Sequence, residues 1–134
     1  MKVVKLILVV LALLFGFYLV FALLGPSSLQ MQQSLTMHAR AEAIYDEVND
    51  LRKWEAWSPW VKMDTAMVST YSDPSHGINA WVAWQSASLG NGKQVIVANE
   101  PYTRIRTQLN FEGWDGDSYS EWHFEETGDS TVVT

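Results

Sequence analysis

The chain has 134 residues, no cysteine and a formal net charge of −6 at pH 7. The lack of cysteine excludes disulfide bonds, thiol nucleophiles and thiolate metal sites. All fifteen acidic residues lie after position 25, whereas only seven of the nine basic residues do. This acidic excess argues against nucleic acid as a partner, because nucleic-acid phosphates bind to basic surfaces.

The first 25 residues predict a transmembrane anchor. Residues 6–24 hold nineteen consecutive positions without a charge, and as a helix they span roughly the 30 Å hydrocarbon core of a bilayer. A cleaved signal peptide is the alternative, but its apolar stretch is usually about 7–15 residues long and ends at a small-x-small site. Lys2 and Lys5 precede the apolar run, and no charge follows it closely. The positive-inside tendency therefore predicts a single-pass protein with a cytoplasmic N-terminus and an extracytoplasmic domain.

Residues 26–134 predict one α+β domain that begins with a strand and two short helices. The strand, 29–37, loosely alternates apolar and polar residues. Residues 41–51 repeat apolar side chains at helical spacing and so predict an amphipathic helix. Trp54 and Trp57 are three positions apart and share one face of a second helical turn. The proline two residues later is expected to end that turn.

The rest of the chain predicts antiparallel strands, because apolar residues recur there with a period of two between turn signals. Six strands are predicted, at residues 67–71, 80–85, 94–99, 103–111, 118–125 and 130–134. A curved sheet with a polar outer face needs a cover over its apolar inner face, and two short helices are too small for that. We therefore expect the chain to be a fragment that lacks a C-terminal segment closing the core.

Three stretches resemble the SRPBCC superfamily, which includes START lipid-binding domains, the major birch pollen allergen and polyketide cyclase/dehydrase-like proteins. The stretches are Ser-Leu-Thr-Met-His-Ala at residues 34–39, the residues 48–60 that end in Trp-Glu-Ala-Trp-Ser-Pro-Trp, and the glycine-to-tryptophan segment 77–84. The second stretch looks like the helix-two signature of the polyketide cyclase-like branch. An apolar N-terminal helix followed by Pro-Ser-Ser is also similar to a membrane-tethered bacterial subgroup, which implies a bacterial inner membrane.

The resemblance implies a helix-grip fold, in which a seven-stranded sheet wraps a long C-terminal helix over a deep apolar cavity. That C-terminal helix is absent from this sequence. Members of the superfamily bind lipids, sterols, hormones or polyketide intermediates, and no cofactor is implied. The function implied here is a membrane-tethered binding module for a hydrophobic or amphipathic small molecule. Two alternatives stay open: a polyketide cyclase/dehydrase-like enzyme, and a ligand-free interaction domain of the cell envelope.

Tryptophans are the main candidates for ligand binding. Trp57, Trp60 and Trp84 are the candidate residues, since an indole offers a large apolar surface with one polar N–H. Trp57 also fits a purely structural place in the core, whereas Trp60 follows the proline and is expected at a pocket or its rim. No metal site is predicted, because the three histidines are widely separated along the chain and metal sites usually need three or more ligands.

Catalytic candidates are sparse. Glu121 and His123 share one face of a predicted strand, so they form an acid/base pair only if that face points into a cavity. If the intervening Trp122 points inward, the pair faces solvent instead. Arg104 and Arg106 alternate with apolar residues and are expected on the outer face.

Overall fold

The computed structural model describes residues 2–25 and 28–134. These residues divide into two compact units, Met1–Gln32 and Gln33–Thr134. Pro26 and Ser27, which belong to the predicted junction between anchor and domain, lie outside the described residues. The boundary of the anchor after residue 25 stays a prediction.

The first unit contains one long helix, α1 (Lys2–Leu24). This helix of 23 residues is long enough and apolar enough to cross a membrane. A signal sequence near an N-terminus meets the same criteria. The apolar helix predicted from the sequence is therefore present, and its insertion in a membrane belongs to the proposal below.

The second unit is an α+β domain built on one antiparallel sheet. The strands are β1 (Leu35–Met37), β2 (Val68–Tyr71), β3 (Trp81–Gln85), β4 (Gly92–Glu100), β5 (Arg104–Phe111), β6 (Ser118–Thr127) and β7 (Ser130–Val133). The helices are α2 (Ala41–Asn49), α3 (Trp54–Trp57) and α4 (Pro59–Met63). The strand order β1-β7-β6-β5-β4-β3-β2 is a meander from β2 to β7, with β1 added at the β7 edge.

Side chains alternate between two faces of the sheet, as strand geometry requires. The inner face carries the core, which includes the fully buried Ile96 and Ile105 on neighbouring strands. A bulge between Ile96 and Ala98 shifts the register of β4 against β5, and such a bulge bends the strand locally. After the bulge, Asn99 lies opposite Ile105 and therefore faces inward.

Helix α2 covers the inner face near β6. Its apolar side buries Ile44, Tyr45 and Val48, as the helical spacing predicted. The Tyr45 ring meets the Phe124 ring of β6 edge-on, with centroids 5.8 Å apart. The Tyr45 hydroxyl donates to Asn99 Oδ1, so the buried tyrosine has a partner for its polar atom, as buried hydroxyls generally do.

The predicted fold class is confirmed: a curved open sheet of seven antiparallel strands with short helices after the first strand, consistent with a helix-grip fold. Among residues 64–134, all of which are described, no helix occurs. The predicted strands from residue 67 onward all form, with ends that differ by one or two residues from the prediction.

Two predicted element boundaries are wrong, and the role predicted for one proline is confirmed but incomplete. The strand predicted over 29–37 forms only at Leu35–Met37, because β7 offers pairing partners to those three residues alone. The helix predicted over 41–51 ends at Asn49, since Asp50 pairs instead with His76 in an isolated bridge. Pro59 ends α3 as expected but also starts α4, because proline is well suited to the first turn of a helix, where its missing N–H is not needed.

Candidate functional site

The inner face of the sheet has a covered end and a second end with an aromatic floor. The floor consists of half-buried or exposed side chains from the inward positions of β3 and β5. These are Val82, Trp84, Leu109 and Phe111. The end of β5 that holds Phe111, 41% exposed, lies far along the sheet from the end that α2 covers. Phe111 is thus the exposed member of the floor, whereas Val82, Trp84 and Leu109 are half-buried and Val82 also packs against the core.

Three tryptophans form a cluster between α3 and the sheet, which we call the tryptophan triad: Trp54, Trp57 and Trp122. The ring centroids of Trp54 and Trp57 are 4.9 Å apart. Both rings meet Trp122 of β6 nearly edge-on, at 5.9 Å and 6.0 Å. Edge-to-face contacts at such distances are favourable for aromatic rings. The spacing of three residues within α3 thus directs two indoles onto one inward-facing residue of β6.

The three indole N–H groups of the triad differ in their partners. Trp54 Nε1 donates to the carbonyl oxygen of Val48 at 2.9 Å. The Nε1 atoms of Trp57 and Trp122 are buried and have no hydrogen-bond partner among the described residues. A buried donor without an acceptor is uncommon in folded proteins, so these two N–H groups are exceptions among the buried polar groups of the domain.

A polar pair lies in the middle of the inner face. Gln94 of β4 is 5% exposed, Thr107 of β5 is 0% exposed, and Gln94 Nε2 donates to Thr107 Oγ1 at 3.1 Å. Thr107 follows Ile105 at the next inward position of β5, and Ile105 pairs with Trp122 across β5 and β6. The polar pair and the tryptophan triad are therefore neighbours on one surface.

Trp84 contributes to the floor through a close approach to Gly92. The two residues pair across β3 and β4, and a side-chain carbon at Gly92 would collide with the Trp84 ring and with a backbone oxygen of β5. The missing side chain leaves room for the indole against Gly92, and the Trp84 ring meets Phe111 edge-on at 5.8 Å. The glycine at position 92 thus allows Trp84 to take its place in the aromatic floor.

Trp60 lies on α4 and is 60% exposed. The residue after α4, Asp64, accepts hydrogen bonds from Ser86 Oγ at 2.6 Å and Ser88 Oγ at 3.0 Å. These bonds, the Ser86 bond first, lower the pKa of the Asp64 carboxyl. Because Ser86 directly follows β3, α4 is held beside the end of β3 that carries Trp84. Trp60 is therefore on the helix at the same end of the sheet as the aromatic floor.

The two acid/base candidates lie on the outer face. Glu121 Oε1 is 2.5 Å from Arg104 Nε and 3.0 Å from His123 Nε2, and Glu121 Oε2 is 3.7 Å from Arg106 Nε. Trp122 between them points inward, into the triad. The hydrogen bond from Arg104 is the main reason why the pKa of the Glu121 carboxyl is lowered. A carboxylate held ionised by arginines is suited to an ion-pair network rather than to proton transfer near neutral pH.

Tyr71 is a titratable residue at the margin of the inner face. The Tyr71 hydroxyl of β2 donates to Glu55 Oε1 at 2.7 Å, and the Arg52 guanidinium lies 4.8 Å from the Tyr71 ring centre. Burial, together with the bond to Glu55, raises the pKa of Tyr71 to about 12. Tyr71 thus keeps its proton and serves as a neutral hydrogen-bonding group.

Charge is absent from the central part of the inner face. The inward positions of β3, β4 and β5 hold apolar, aromatic, amide and hydroxyl side chains only. Within residues 2–25 and 28–134, no group of three or more histidine or acidic side chains is arranged to hold a metal ion. The surface as it stands has the chemistry of a binding site: aromatic area with a few uncharged hydrogen-bonding groups.

The three tryptophans predicted as ligand-binding residues lie in three different places. Trp57 belongs to the triad and Trp84 to the floor, while Trp60 is exposed on α4. Gln94, Thr107 and Phe111 were not predicted from the sequence as site residues. Gln94 could have been noticed in the sequence because it is a polar residue on the side of its strand that also carries the apolar Ile96.

The element order and sheet define an α+β protein of the helix-grip type. Among solved structures, CalU16 from Micromonospora echinospora superposes with a TM-score of 0.53 at 20% identity, covering 75% of this chain and 54% of CalU16. The Aha1 dimer from Colwellia psychrerythraea gives 0.56 at 12% identity, covering 75% of this chain and 69% of that chain. A Staphylococcus epidermidis protein solved by solution NMR gives 0.55 at 13%, covering 79% and 71%.

These likenesses confirm the α+β fold that the resemblance stated from the sequence implies. At such identities the likeness shows the fold alone. The chain spans about half of CalU16, 54%. No protein-family profile matches the sequence, and no curated protein matches it either. The membrane-anchored and truncated parts of the resemblance stay predictions.

Proposed function

We propose that the chain is a membrane-tethered module that binds a hydrophobic or amphipathic small molecule on the inner face of its sheet. The observation that carries this proposal is the aromatic floor of Trp84 and Phe111 beside the uncharged Gln94–Thr107 pair. Small-molecule sites are typically apolar and aromatic surfaces with a few placed polar groups. The helix-grip fold shared with CalU16 and Aha1 is compatible with such a site.

The tether in this proposal is α1. Its length and hydropathy are sufficient to cross a bilayer, and a helix of 23 residues reaches about 35 Å at 1.5 Å per residue. Lys2 and Lys5 on its N-terminal side favour a cytoplasmic N-terminus. We therefore extend the proposal to an extracytoplasmic domain held at the surface of a bacterial inner membrane, where apolar ligands are concentrated.

An enzymatic role of the cyclase/dehydrase kind receives no specific support. Such a reaction needs a proton donor or acceptor within reach of the substrate. Glu121 and His123 stand on the outer face in contact with Arg104, and Tyr71 holds its proton with a pKa of about 12. The binding function uses the inner face as it stands and requires none of these groups.

Two tryptophans on the same strand provide a matched test. Trp84 lies on the inner face of β3, whereas Trp81 lies on the outer face, where Lys93 Nζ is 4.6 Å from its ring centre. We expect the chain, stripped of copurified lipid and then reconstituted in nanodiscs, to bind an anilinonaphthalene probe with energy transfer from tryptophan. Trp84→Leu is expected to weaken binding by roughly tenfold, because about 1–2 kcal/mol of apolar contact is lost. Trp81→Leu is expected to leave the affinity unchanged.

Two results would count against the proposal. The first is that the wild-type chain binds no more probe than protein-free nanodiscs and copurifies with no lipid-like molecule. The second is that Trp81→Leu and Trp84→Leu weaken the probe equally, since binding on the inner face requires that they differ. Circular dichroism of both variants checks that the sheet is intact.

A further inference from the structure

Two of the seven tryptophans are exposed, and both lie at the end of the sheet where β3 and β5 finish. Trp60 on α4 is 60% exposed, and Trp114 in the loop between β5 and β6 is 64% exposed. Met63, the last residue of α4, is 63% exposed. We call these three residues the aromatic rim. Single exposed apolar residues are ordinary on a protein surface, whereas large ones gathered on neighbouring elements indicate an interaction site.

A chain of hydrogen bonds connects the two elements that carry the rim. Ser86, directly after β3, donates its hydroxyl at 2.6 Å to Asp64, which follows α4. The backbone N–H of Ser86 donates to Asn91 Oδ1 at 3.1 Å. Asn91 Nδ2 in turn donates to Glu112 Oε2 at 2.6 Å. Because Glu112 lies two residues before Trp114, α4 and the β5–β6 loop are held together at one end of the sheet.

The chain enters the sheet from the direction of the rim. β6 starts just after the loop that holds Trp114 and runs away from that end. β7 runs back toward it, and β1 runs away again, because both pairings are antiparallel. The residues before Leu35 therefore approach β1 from the rim side. Ser34 keeps this direction, since its hydroxyl is hydrogen-bonded at 2.9 Å to that of Thr134, directly after β7.

The link between α1 and β1 keeps the domain near the bilayer that the proposed tether spans. The link consists of residues 25–34, and ten residues extend to at most about 33–36 Å. Tryptophan is enriched at membrane–water interfaces, because its ring is apolar and its N–H is polar. A surface with two exposed tryptophans, on the side from which the link arrives, is therefore suited to the interface of that bilayer.

The charges around the rim select the kind of bilayer surface. The loop around Trp114 holds three acidic residues, Glu112, Asp115 and Asp117, and no basic residue. Lys62 on α4 supplies one positive charge, so the balance is negative. An anionic leaflet attracts basic segments and repels acidic ones. Zwitterionic headgroups lack this repulsion and allow the aromatic contact to form.

We propose that the aromatic rim docks on the zwitterionic surface of a lipid bilayer, with Trp60 and Trp114 in its interfacial region. This assignment rests on the membrane tether of the proposed function and adds a second contact between the domain and lipid. In this arrangement Phe111, the exposed member of the aromatic floor, lies close to the lipid. An apolar ligand then passes between bilayer and floor with little exposure to water.

Single-cysteine labels at the two ends of β6 test the docking, since the chain has no cysteine of its own. Asp115→Cys lies in the loop before β6, and Thr127→Cys lies at the last residue of β6. The strand between them separates the labels by about 30 Å. Each variant carries a nitrobenzoxadiazole fluorophore, which has a longer lifetime in lipid than in water. The full chain is reconstituted at one copy per phosphatidylcholine nanodisc.

We expect a long lifetime and quenching by spin-labelled lipid for the label at position 115, and an aqueous lifetime for the label at position 127. The amplitudes of the long and short lifetimes give the ratio of docked to free domain. Phosphatidylglycerol in the discs is expected to lower this ratio at position 115 by at least about fivefold, the effect of one unit charge near an anionic surface.

Tryptophan variants locate the contact. Trp60→Ser and Trp114→Ser are each expected to lower the ratio at position 115 by about tenfold, because each removes a large apolar side chain from the interface. Ile78→Ser is the control. Ile78 is 55% exposed and precedes β3, at the opposite end of the sheet from the rim, so its replacement is expected to leave the ratio unchanged.

The outcomes separate the docking from the tether on which it rests. A chain that stays in the discs with an aqueous label at position 115 overturns the docking and leaves the tether standing. A chain that does not stay in the discs overturns the tether itself. A long lifetime that requires two chains per disc assigns the rim to a second copy and overturns lipid docking.

Two further results would also overturn the docking as stated. One is a ratio that neither tryptophan change lowers, and the other is a higher ratio in phosphatidylglycerol discs. The labelled chains keep both rim tryptophans, so the first measurement does not depend on how well the tryptophan variants fold. Circular dichroism checks the folding of each variant.

Discussion

The polar pair in the middle of the inner face gives the sharpest prediction about stability. Gln94 and Thr107 are almost inaccessible to solvent, and each uses the other as a hydrogen-bond partner. Thr107→Val removes the hydroxyl and leaves the amide of Gln94 without its partner. Gln94→Met keeps a side chain of similar length and leaves the Thr107 hydroxyl unpaired. Each single change creates one buried, unsatisfied polar group.

The expected losses of stability follow from the difference between removing one partner of a buried hydrogen bond and removing both. An unsatisfied buried group costs about 1–3 kcal/mol, whereas replacing both partners by apolar groups of the same shape is nearly neutral. Each single variant should therefore lose about 1–3 kcal/mol of unfolding free energy. The variant with both Gln94→Met and Thr107→Val should lose about 1 kcal/mol or less. The double variant is thus expected to be more stable than at least one of its single-variant parents.

The assay is urea unfolding of the detergent-solubilised chain, followed by far-ultraviolet circular dichroism at constant detergent concentration. The four proteins of the cycle should share one m-value, so that differences in midpoint report stability. The reasoning is refuted if the losses of the two single variants simply add in the double variant. Additive losses would mean that Gln94 and Thr107 are each stabilised by other groups and do not act as a pair.

Three further changes are expected to act through single contacts. Trp54→Phe should cost about 1 kcal/mol more in urea unfolding than Trp57→Phe, because only the first removes a formed hydrogen bond. Gly92→Ala should cost about 1–3 kcal/mol, because its new carbon overlaps an indole ring and a backbone oxygen; an unchanged midpoint would contradict this close approach. Arg104→Gln should raise the pKa of Glu121 toward its ordinary value of 4.5 in an NMR titration. The lowered pKa of Glu121 stabilises the folded state at pH values above the pKa of the unfolded chain, and this stabilisation is lost as the pH falls through the folded pKa. Because Arg104→Gln removes part of that stabilisation at neutral pH, the variant should lose less stability than the wild type on acidification.

Much of the fold could be predicted because local sequence signals agreed with tertiary packing. The period-two pattern from residue 67 onward located all six later strands, and helical spacing located α2. Prediction was weaker where pairing partners set the boundary. The alternation over 29–37 could not show that β7 pairs only with Leu35–Met37. The end of α2 likewise depends on the Asp50–His76 bridge, whose partners are distant in the chain.

The candidate site was less predictable, because its properties arise between strands. Sequence parity placed Trp122 and Glu121 on opposite faces and left open which of them points inward; the structure has Trp122 inward and Glu121 outward. It could not show that Trp57 and Trp122 have no acceptor among the described residues while Trp54 has one, since those bonds depend on where α3 docks. The Gln94–Thr107 bond also joins two strands and leaves only an out-of-place polar residue in the sequence of β4.

The two faces of the sheet divide the chemistry of the domain, and this division supports the proposal of a binding function rather than a catalytic one. The outer face concentrates ionised groups around Glu121, with two arginines and His123 within 3.7 Å of its oxygens. The inner face has aromatic rings, an amide–hydroxyl pair and two indole N–H groups. Proton transfer needs groups that change charge near neutral pH, whereas recognition of a neutral molecule needs surface and fixed donors. The inner face supplies the second set, which supports the proposed binding function.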